Sequence, residues 1–502
     1  MLDVKIHRKS GTFFMVPFHY DNPSVEPPDY IWKKQLKPVS NEGNRINADA
    51  DENREVLYAH IMDFLQGQTH EQSVNVSPLR IYSVVSDNGK EETSDFGKRF
   101  WNPFCKNKHS VIVDKKTATR VSFKLYSKNS YRPTIYMNDQ SCVGVLVIYV
   151  TSECSTEELI KLNYTLHKIG NVEAKCATDA LDGSMLDGIL EKGRQAYHLL
   201  SGNPGKEWEN GKMEWDMGQL VKLLLYGGQP ENRHFHLFNN IRLHLLTYSV
   251  IEDKEDEVGV NDCDETLLYL ARCCAPSYIL PVKDMVADGA VLHTFDNIHI
   301  ASFSEGCAIM AVGKEENWGF IKDYDGQIRM RFFWVYLLAL LQRYTMFDIS
   351  RKLMNVVSSK DQSDVWRLLE VYKQIKSTCY WTEVSPFTQH TQFYEHCCRG
   401  LRLKESYAEI ESKTEIIRLV NEHDLRLAVE KQAEIEKSRD GMLAAREHRL
   451  SLIVAFLTVA QVVGVVFAMS EGGSPLQWVL TSVFGIMMIV ILLFVMKIGE
   501  KQ

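Results

Sequence analysis

Apolar and polar positions in the middle of the chain are grouped as strands group them. Residues 110–114, 120–126, 134–137 and 143–150 are short runs rich in β-branched and aromatic residues, bounded by turn formers, and they predict four strands of a sheet. Residues 4–7 and 12–17 are earlier candidates, and 241–250, 291–294, 298–303 and 308–312 continue the pattern. Two runs feed helices. After 143–150 come Ser155, Thr156, Glu157 and Glu158, a cap with acids in the first turn, and then the periodic LIKLNYTLHKI. After 241–250 an acidic loop leads to Asp264, Glu265, Thr266 and LLYLARCC. The pair reads as a duplicated strand–helix unit within an α/β body, with one more helix over 51–66.

Beyond Gly326 the strand pattern stops. Residues 327–357 carry Phe332, Phe333, Trp334, Tyr336, Leu337, Leu338, Leu340 and Leu341, but the charge-free part is too short to cross a bilayer, which predicts a buried helix. A second helix is expected over 363–376, and Ser385-Pro386 breaks the chain before a third over 387–399. From Leu401 the composition turns to Glu, Lys, Arg, Ala and Leu with no proline until Pro475, so one long helix follows. Leu403, Tyr407, Ile410 and Ile417, then Leu425, Ala428, Gln432, Ile435 and Met442, form a seam that drifts around it rather than a strict heptad. From 401 to 449 such a helix extends ~75 Å.

Residues 450–469, LSLIVAFLTVAQVVGVVFAM, contain no charge and suffice for a hydrocarbon core of ~30 Å. Residues 476–496, LQWVLTSVFGIMMIVILLFVM, match them, and Ser470-Glu471-Gly472-Gly473-Ser474-Pro475 between them is polar and helix-breaking. The two runs predict a membrane hairpin. Arg446 and Arg449 before the first run, with Lys497 and Lys501 after the second, place both termini on the cytoplasmic side. The domains expected are a cytosolic α/β regulatory domain over 1–326, a helical connector over 327–400, a stalk helix over 401–449 and a two-span pore domain over 450–502.

Charge and cysteine usage narrow the function classes. With 57 Lys and Arg against 65 Asp and Glu, the formal net charge of −8 argues against direct nucleic-acid binding. Charges in MLDVKIHRKSGTFF stand where a signal peptide would be apolar. The 11 cysteines form no Cys-x-x-Cys pair, which fits reduced thiols in the cytosol. Walker A, G-x-G-x-x-G, G-x-S-x-G and H-E-x-x-H patterns are all absent, so no catalytic site is read and a non-enzyme is expected.

In its order of elements (a cytosolic α/β domain, a long helix entering a first span, a tiny outer loop, a second span and a basic tail) the chain resembles the CorA family of membrane channels and transporters. The resemblance covers the whole chain and is most specific in 401–502. It implies a funnel of five subunits whose first span lines the pore. Metal-transporting members end that span in Gly-Met-Asn, whereas Ala468-Met469-Ser470 stands here. The large soluble domain and this departure are similar to a branch associated with type III CRISPR systems. That likeness implies an antiviral effector in the bacterial inner membrane, opened when the cytosolic domain binds the nucleotide messenger SAM-AMP. The alternative is a divalent metal cation transporter carrying Mg²⁺ or Co²⁺, and a third reading is an enzyme anchored by its tail.

Candidate sites follow from charge and spacing. The stretch from Lys98 to Arg132 is strongly basic, with Asp114 its one acid. Strand alternation puts Arg120, Ser122 and Lys124 on one face and Val121, Phe123 and Leu125 on the other. Lys115, Lys116, Arg120, Lys124, Lys128 and Arg132 are the candidate ligand-binding cations for a phosphate-bearing ligand, with Tyr126, Tyr131 and Tyr136 to stack on a base. The same cations also read as a solvated face balancing acidic neighbours. Residues 252–265 read as a solvated acidic loop, or as the divalent-sensing surface known in metal-transporting relatives. His234, His236 and His244 share even spacing, and His396-Cys397-Cys398 places three metal-capable groups together, but neither set has the ligand spacing of a metal site. In the first span Ser451, Val454, Thr458, Gln461, Val465 and Ala468 fall on one helical face as pore-lining candidates, with Glu471 as an acidic ring at the outer mouth. Helix-to-helix hydrogen bonding explains the polar members equally well.

Overall fold

The computed structural model describes residues 2–29, 31–34, 40–41, 44–45, 57–58, 61, 64, 79–84, 101–125, 132–170, 174–179, 198–200, 212–227, 234–238, 242–253, 258–322, 324, 326, 328–359, 369–370, 372–373, 376, 381–468, 479, 482–487 and 489–490. The chain divides into two units, Met1–Thr414 and Glu415–Gln502.

The first unit is built on β1 (Gly11–Tyr20), β2 (Trp32–Lys34), the short pair β3 (Ser40–Asn41) and β4 (Asn44–Arg45), and β5 (Leu79–Val84). Next come β6 (His109–Asp114), β7 (Thr119–Phe123), β8 (Thr134–Asn138), β9 (Val143–Thr151), β10 (Cys176–Asp179) and β11 (Lys212–Trp215). The last strands are β12 (Phe235–Leu237), β13 (His244–Glu252), β14 (Val291–Phe295), β15 (Ile298–Ser302) and β16 (Gly306–Gly313). The main sheet runs β14-β15-β16-β13-β1-β9-β8-β5-β2, with β12 also paired to β1; a second sheet runs β11-β10-β6-β7. Only β13 and β16 pair in parallel among the described ladders of this mixed sheet.

The central strand β1 reads GTFFMVPFHY and is buried along almost its whole length, because helices cover both faces. Thr12, Phe14, Val16 and Phe18 face α1 (Thr156–Leu166), α2 (Met217–Tyr226) and α3 (Val260–Arg272), with which they share one hydrophobic core. Phe13 faces the other way, 5.0 Å between ring centres from Phe333 at the start of α4 (Phe333–Ser359). Three layers result. The strand–helix units β9–α1 and β13–α3 flank β1 in the same direction, since each strand pairs antiparallel with it, and α1 and α3 pack together.

Local chemistry sets the helix ends. Ser155 caps α1 as expected: its hydroxyl accepts from the Glu158 N–H while the Glu158 carboxylate accepts from the Ser155 N–H. α3 starts earlier than the pattern predicts, at Val260 after Gly259, so the last six residues of the expected acidic loop are helical, with Asp262 in the favourable first turn. The aromatic run beginning at Phe332 is buried, as a core helix requires, and it is entered through a single π-helical stretch, Ile328–Phe332. Most of the helices expected over 51–66 and 363–376 lies outside the described residues, although 61, 64, 369–370, 372–373 and 376 are helical.

α5 (Thr388–Gly400) ends where Arg402 takes a left-handed conformation, φ 56°, and α6 (Leu403–Ala468) begins directly after it. Gly400 lets the end of α5 approach the end of β15, since a side chain there would collide with the Ser302 backbone. α6 runs 66 residues without a break. Leu403, Tyr407 and Ile410 of the seam are buried, whereas Leu425, Ile435 and Met442 are exposed. In the second unit the described apolar side chains of α6 are mostly exposed, and α6 is the one described helix long and apolar enough to cross a bilayer. Of the second apolar run, 479, 482–487 and 489–490 are helical and exposed.

Candidate functional site

The basic segment folds as a hairpin whose alternation matches the expectation. Val121, Phe123 and Leu125 are buried, while Arg120 and Lys124 point outward and Ser122 is half-buried between them. Lys115 and Lys116 sit exposed in the turn between β6 and β7. Asp114, the lone acid, accepts the Lys116 backbone N–H at 2.9 Å, and that bond leads the influences holding its carboxyl below the usual range. Its role is to close the turn. Lys124 exchanges backbone hydrogen bonds of 2.9 and 3.0 Å with Thr151, joining the small sheet to the end of β9. Arg120 and Lys124 therefore stand about 13 Å apart along one outer face. They form a strip rather than a pocket.

Arg132 is separate from that strip, half-buried ahead of β8, where its charge acts on the buried Cys105. Tyr136 cannot stack on a base as expected. Its ring is buried against Phe333 and Trp334, 6.0 and 5.5 Å between centres, because α4 covers that face of β8. Lys128, Tyr126 and Tyr131 lie outside the described residues.

The evenly spaced histidines do not converge. His234 and His236 bind opposite oxygens of Asp21 at 3.0 and 3.1 Å, and His236 stacks on His19 with 4.7 Å between ring centres. His244 starts a different strand and is buried against the Tyr344 hydroxyl. His396 and Cys397 are buried, with Cys397 hydrogen-bonded to Cys307, so this segment packs into the core.

A different set converges. β14 and β15 form a hairpin at the edge of the main sheet in which His293 and His299 are direct cross-strand partners. Asp264 reaches them from α3: its Oδ1 lies 3.0 Å from His293 Nε2 and 2.9 Å from His299 Nδ1. All three potential ligand atoms lie within 4.8 Å of one another. Asp264 and His299 are buried, while the His293 side chain keeps 38% of its surface exposed. Burial works to raise the Asp264 carboxyl, but the bonds from His299 and His293 outweigh it and hold the group below its usual value. The sequence pattern does not reveal this cluster, because Asp264 reads as a helix start and the histidines as members of two strands. Two histidines six apart around Asp296-Asn297 were the signal, since a tight turn there pairs them.

In the first apolar run, Ser451, Val454 and Gln461 are exposed, and Thr458 donates its hydroxyl to the Val454 carbonyl at 2.7 Å, so its own helix uses that proton. Val465 and Ala468 belong to the same helix, and Glu471 lies outside the described residues. No family model, curated protein or solved structure matches the chain.

Proposed function

We propose that this chain is a CorA-like membrane pore of several copies, with a cytosolic α/β domain that binds an anionic ligand and biases a two-span hairpin between closed and open states. The observation that carries the reading is α6: one uninterrupted helix has seam residues Leu403, Tyr407 and Ile410 buried at its start and an apolar, largely exposed run at its end. Leaving Leu450, Leu452, Val454, Phe456, Leu457, Val459 and Val462 in water is strongly unfavourable, and lipid or neighbouring copies relieve that cost. A single hairpin encloses no water, so conduction requires several copies, five on the CorA resemblance. Val454 and Val465 then form dewetting constrictions and Glu471 an acidic outer ring that favours cations.

The strip of Lys115, Lys116, Arg120 and Lys124 supports an anionic ligand, and the CRISPR-branch resemblance makes SAM-AMP the first to try. On this reading the protein is an antiviral effector in the bacterial inner membrane, with both termini in the cytoplasm. A Mg²⁺ or Co²⁺ transporter is the second reading, favoured by the family likeness and opposed by Ala468-Met469-Ser470 in place of Gly-Met-Asn.

The test is flux from liposomes containing the full-length chain, with and without SAM-AMP. Ligand should open a cation path, Arg120→Ala with Lys124→Ala should weaken binding at least tenfold without disturbing assembly, and Val454→Ser should leak without ligand. Steady Mg²⁺ uptake indifferent to nucleotide would favour the transporter. An assembled oligomer that passes nothing under any condition would refute both.

A further inference from the structure

We propose that Asp264, His293 and His299 form a binding site for a divalent transition-metal ion, with Zn²⁺ the best chemical fit and one coordination position open to solvent. The site stands on its own geometry and is independent of the pore reading.

The donor set selects the metal class. Two imidazole nitrogens and one carboxylate oxygen suit Zn²⁺ and its neighbours, whereas Mg²⁺ and Ca²⁺ take all-oxygen shells. Around a tetrahedral Zn²⁺ with bonds of about 2.0–2.1 Å, ligand atoms sit about 3.3 Å apart. The two contacts to Asp264 Oδ1, at 2.9 and 3.0 Å, need only lengthen by about 0.4 Å, and the two nitrogens start no more than 4.8 Å from each other. Those motions are within reach of small side-chain rotations.

The nitrogens facing Asp264 are the ones that would ligate. Because a carboxylate oxygen only accepts, each ring donates to Oδ1 through the nitrogen that faces it when no ion is bound. When an ion binds, each neutral imidazole carries its one proton on the opposite nitrogen instead and ligates through the nitrogen facing Asp264, so no proton has to leave the pair of rings, and the carboxylate supplies negative charge in a buried position. Buried Asp264 and His299 fix two ligands on rigid elements, α3 and β15, while half-exposed His293 supplies the third from the solvent side. Three protein ligands with a water-accessible fourth position make an open site rather than a sealed structural one. The ion would also clamp the edge hairpin β14–β15 onto α3.

Full-length protein in detergent, stripped with a chelator and titrated with Co²⁺ and then Zn²⁺, provides the test. One equivalent of Co²⁺ per chain should give the intense visible bands of a four-coordinate centre, and Zn²⁺ should bleach them by displacement. Zn²⁺ should raise the thermal midpoint of the parent chain and leave that of His293→Ala unmoved. That variant removes a half-exposed ring, so it should fold, and its Co²⁺ affinity should fall at least tenfold. Asp264→Asn should likewise lose the bands. A parent chain with no visible bands and no Zn²⁺-dependent midpoint would show that the three residues form a hydrogen-bonded triad only. Undiminished binding in His293→Ala would move the ion elsewhere and overturn the assignment.

Discussion

The hydroxyls of Tyr149 and Tyr248 share a hydrogen bond of 2.9 Å between the two strands that flank β1. They meet over Gly11, which is paired directly with Tyr248, and a Cβ built on Gly11 would lie 2.7 Å from the Tyr149 ring. The absence of a side chain at Gly11 is thus what lets β9 and β13 be tied together across the central strand.

Gly11→Ala should therefore destabilise the body by about 2–4 kcal/mol, combining overpacking with loss of one buried hydrogen bond. Tyr149→Phe should cost only about 1 kcal/mol, since the ring stays and one bond goes. Thermal or denaturant unfolding of the two variants measures the difference. Equal stability of parent and Gly11→Ala would mean that the tyrosine pair has room to move aside.

Acid should destabilise the body through its buried histidines. Burial lowers His109 to about 3 and His244 to about 3, and lowers His167, His390 and His396 to about 4. Below about 6.5 the unfolded chain protonates these rings while the folded chain does not, so the stability present above 6.5 is lost as pH falls toward the folded values. Each ring contributes at most about 1.4 kcal/mol per pH unit across that window. His109 sits among Phe104, Phe123 and Trp215 with Nδ1 2.8 Å from the Thr178 hydroxyl. His109→Phe should flatten the slope of stability against pH between 6.5 and 4 by up to one ring's share, as read by unfolding midpoints across that range. An unchanged slope would mean that His109 protonates in place.

The hairpin reading predicts a defined topology. In intact cells a cysteine at Gly472 should react with a membrane-impermeant thiol reagent, while one at Gln502 should react only after lysis. The reverse pattern would invert the protein. Reaction at both positions, or at neither, would argue against a hairpin with both termini inside.

Much of the architecture follows from short-range patterns. Strand runs, the Ser155–Glu158 cap, the buried aromatic helix and the long α6 are legible because burial on one face or both imposes a local period, and because caps and charge-free runs are written in consecutive residues. Alternation at Val121, Phe123 and Leu125 against Arg120 and Lys124 is legible for the same reason. Tertiary structure alone decided what pairing and coverage decide. α4 covers Tyr136, which excludes it from a ligand site that sequence proximity had offered. Asp21 draws in His234 and His236 while Tyr344 holds His244, so an even spacing is split between two strands. Asp264 and His299 lie 35 residues apart, yet strand register and one helix packed against the hairpin bring them within 2.9 Å. No local period encodes that distance, because the cross-strand partner and the helix that caps it are chosen by the fold of the whole sheet.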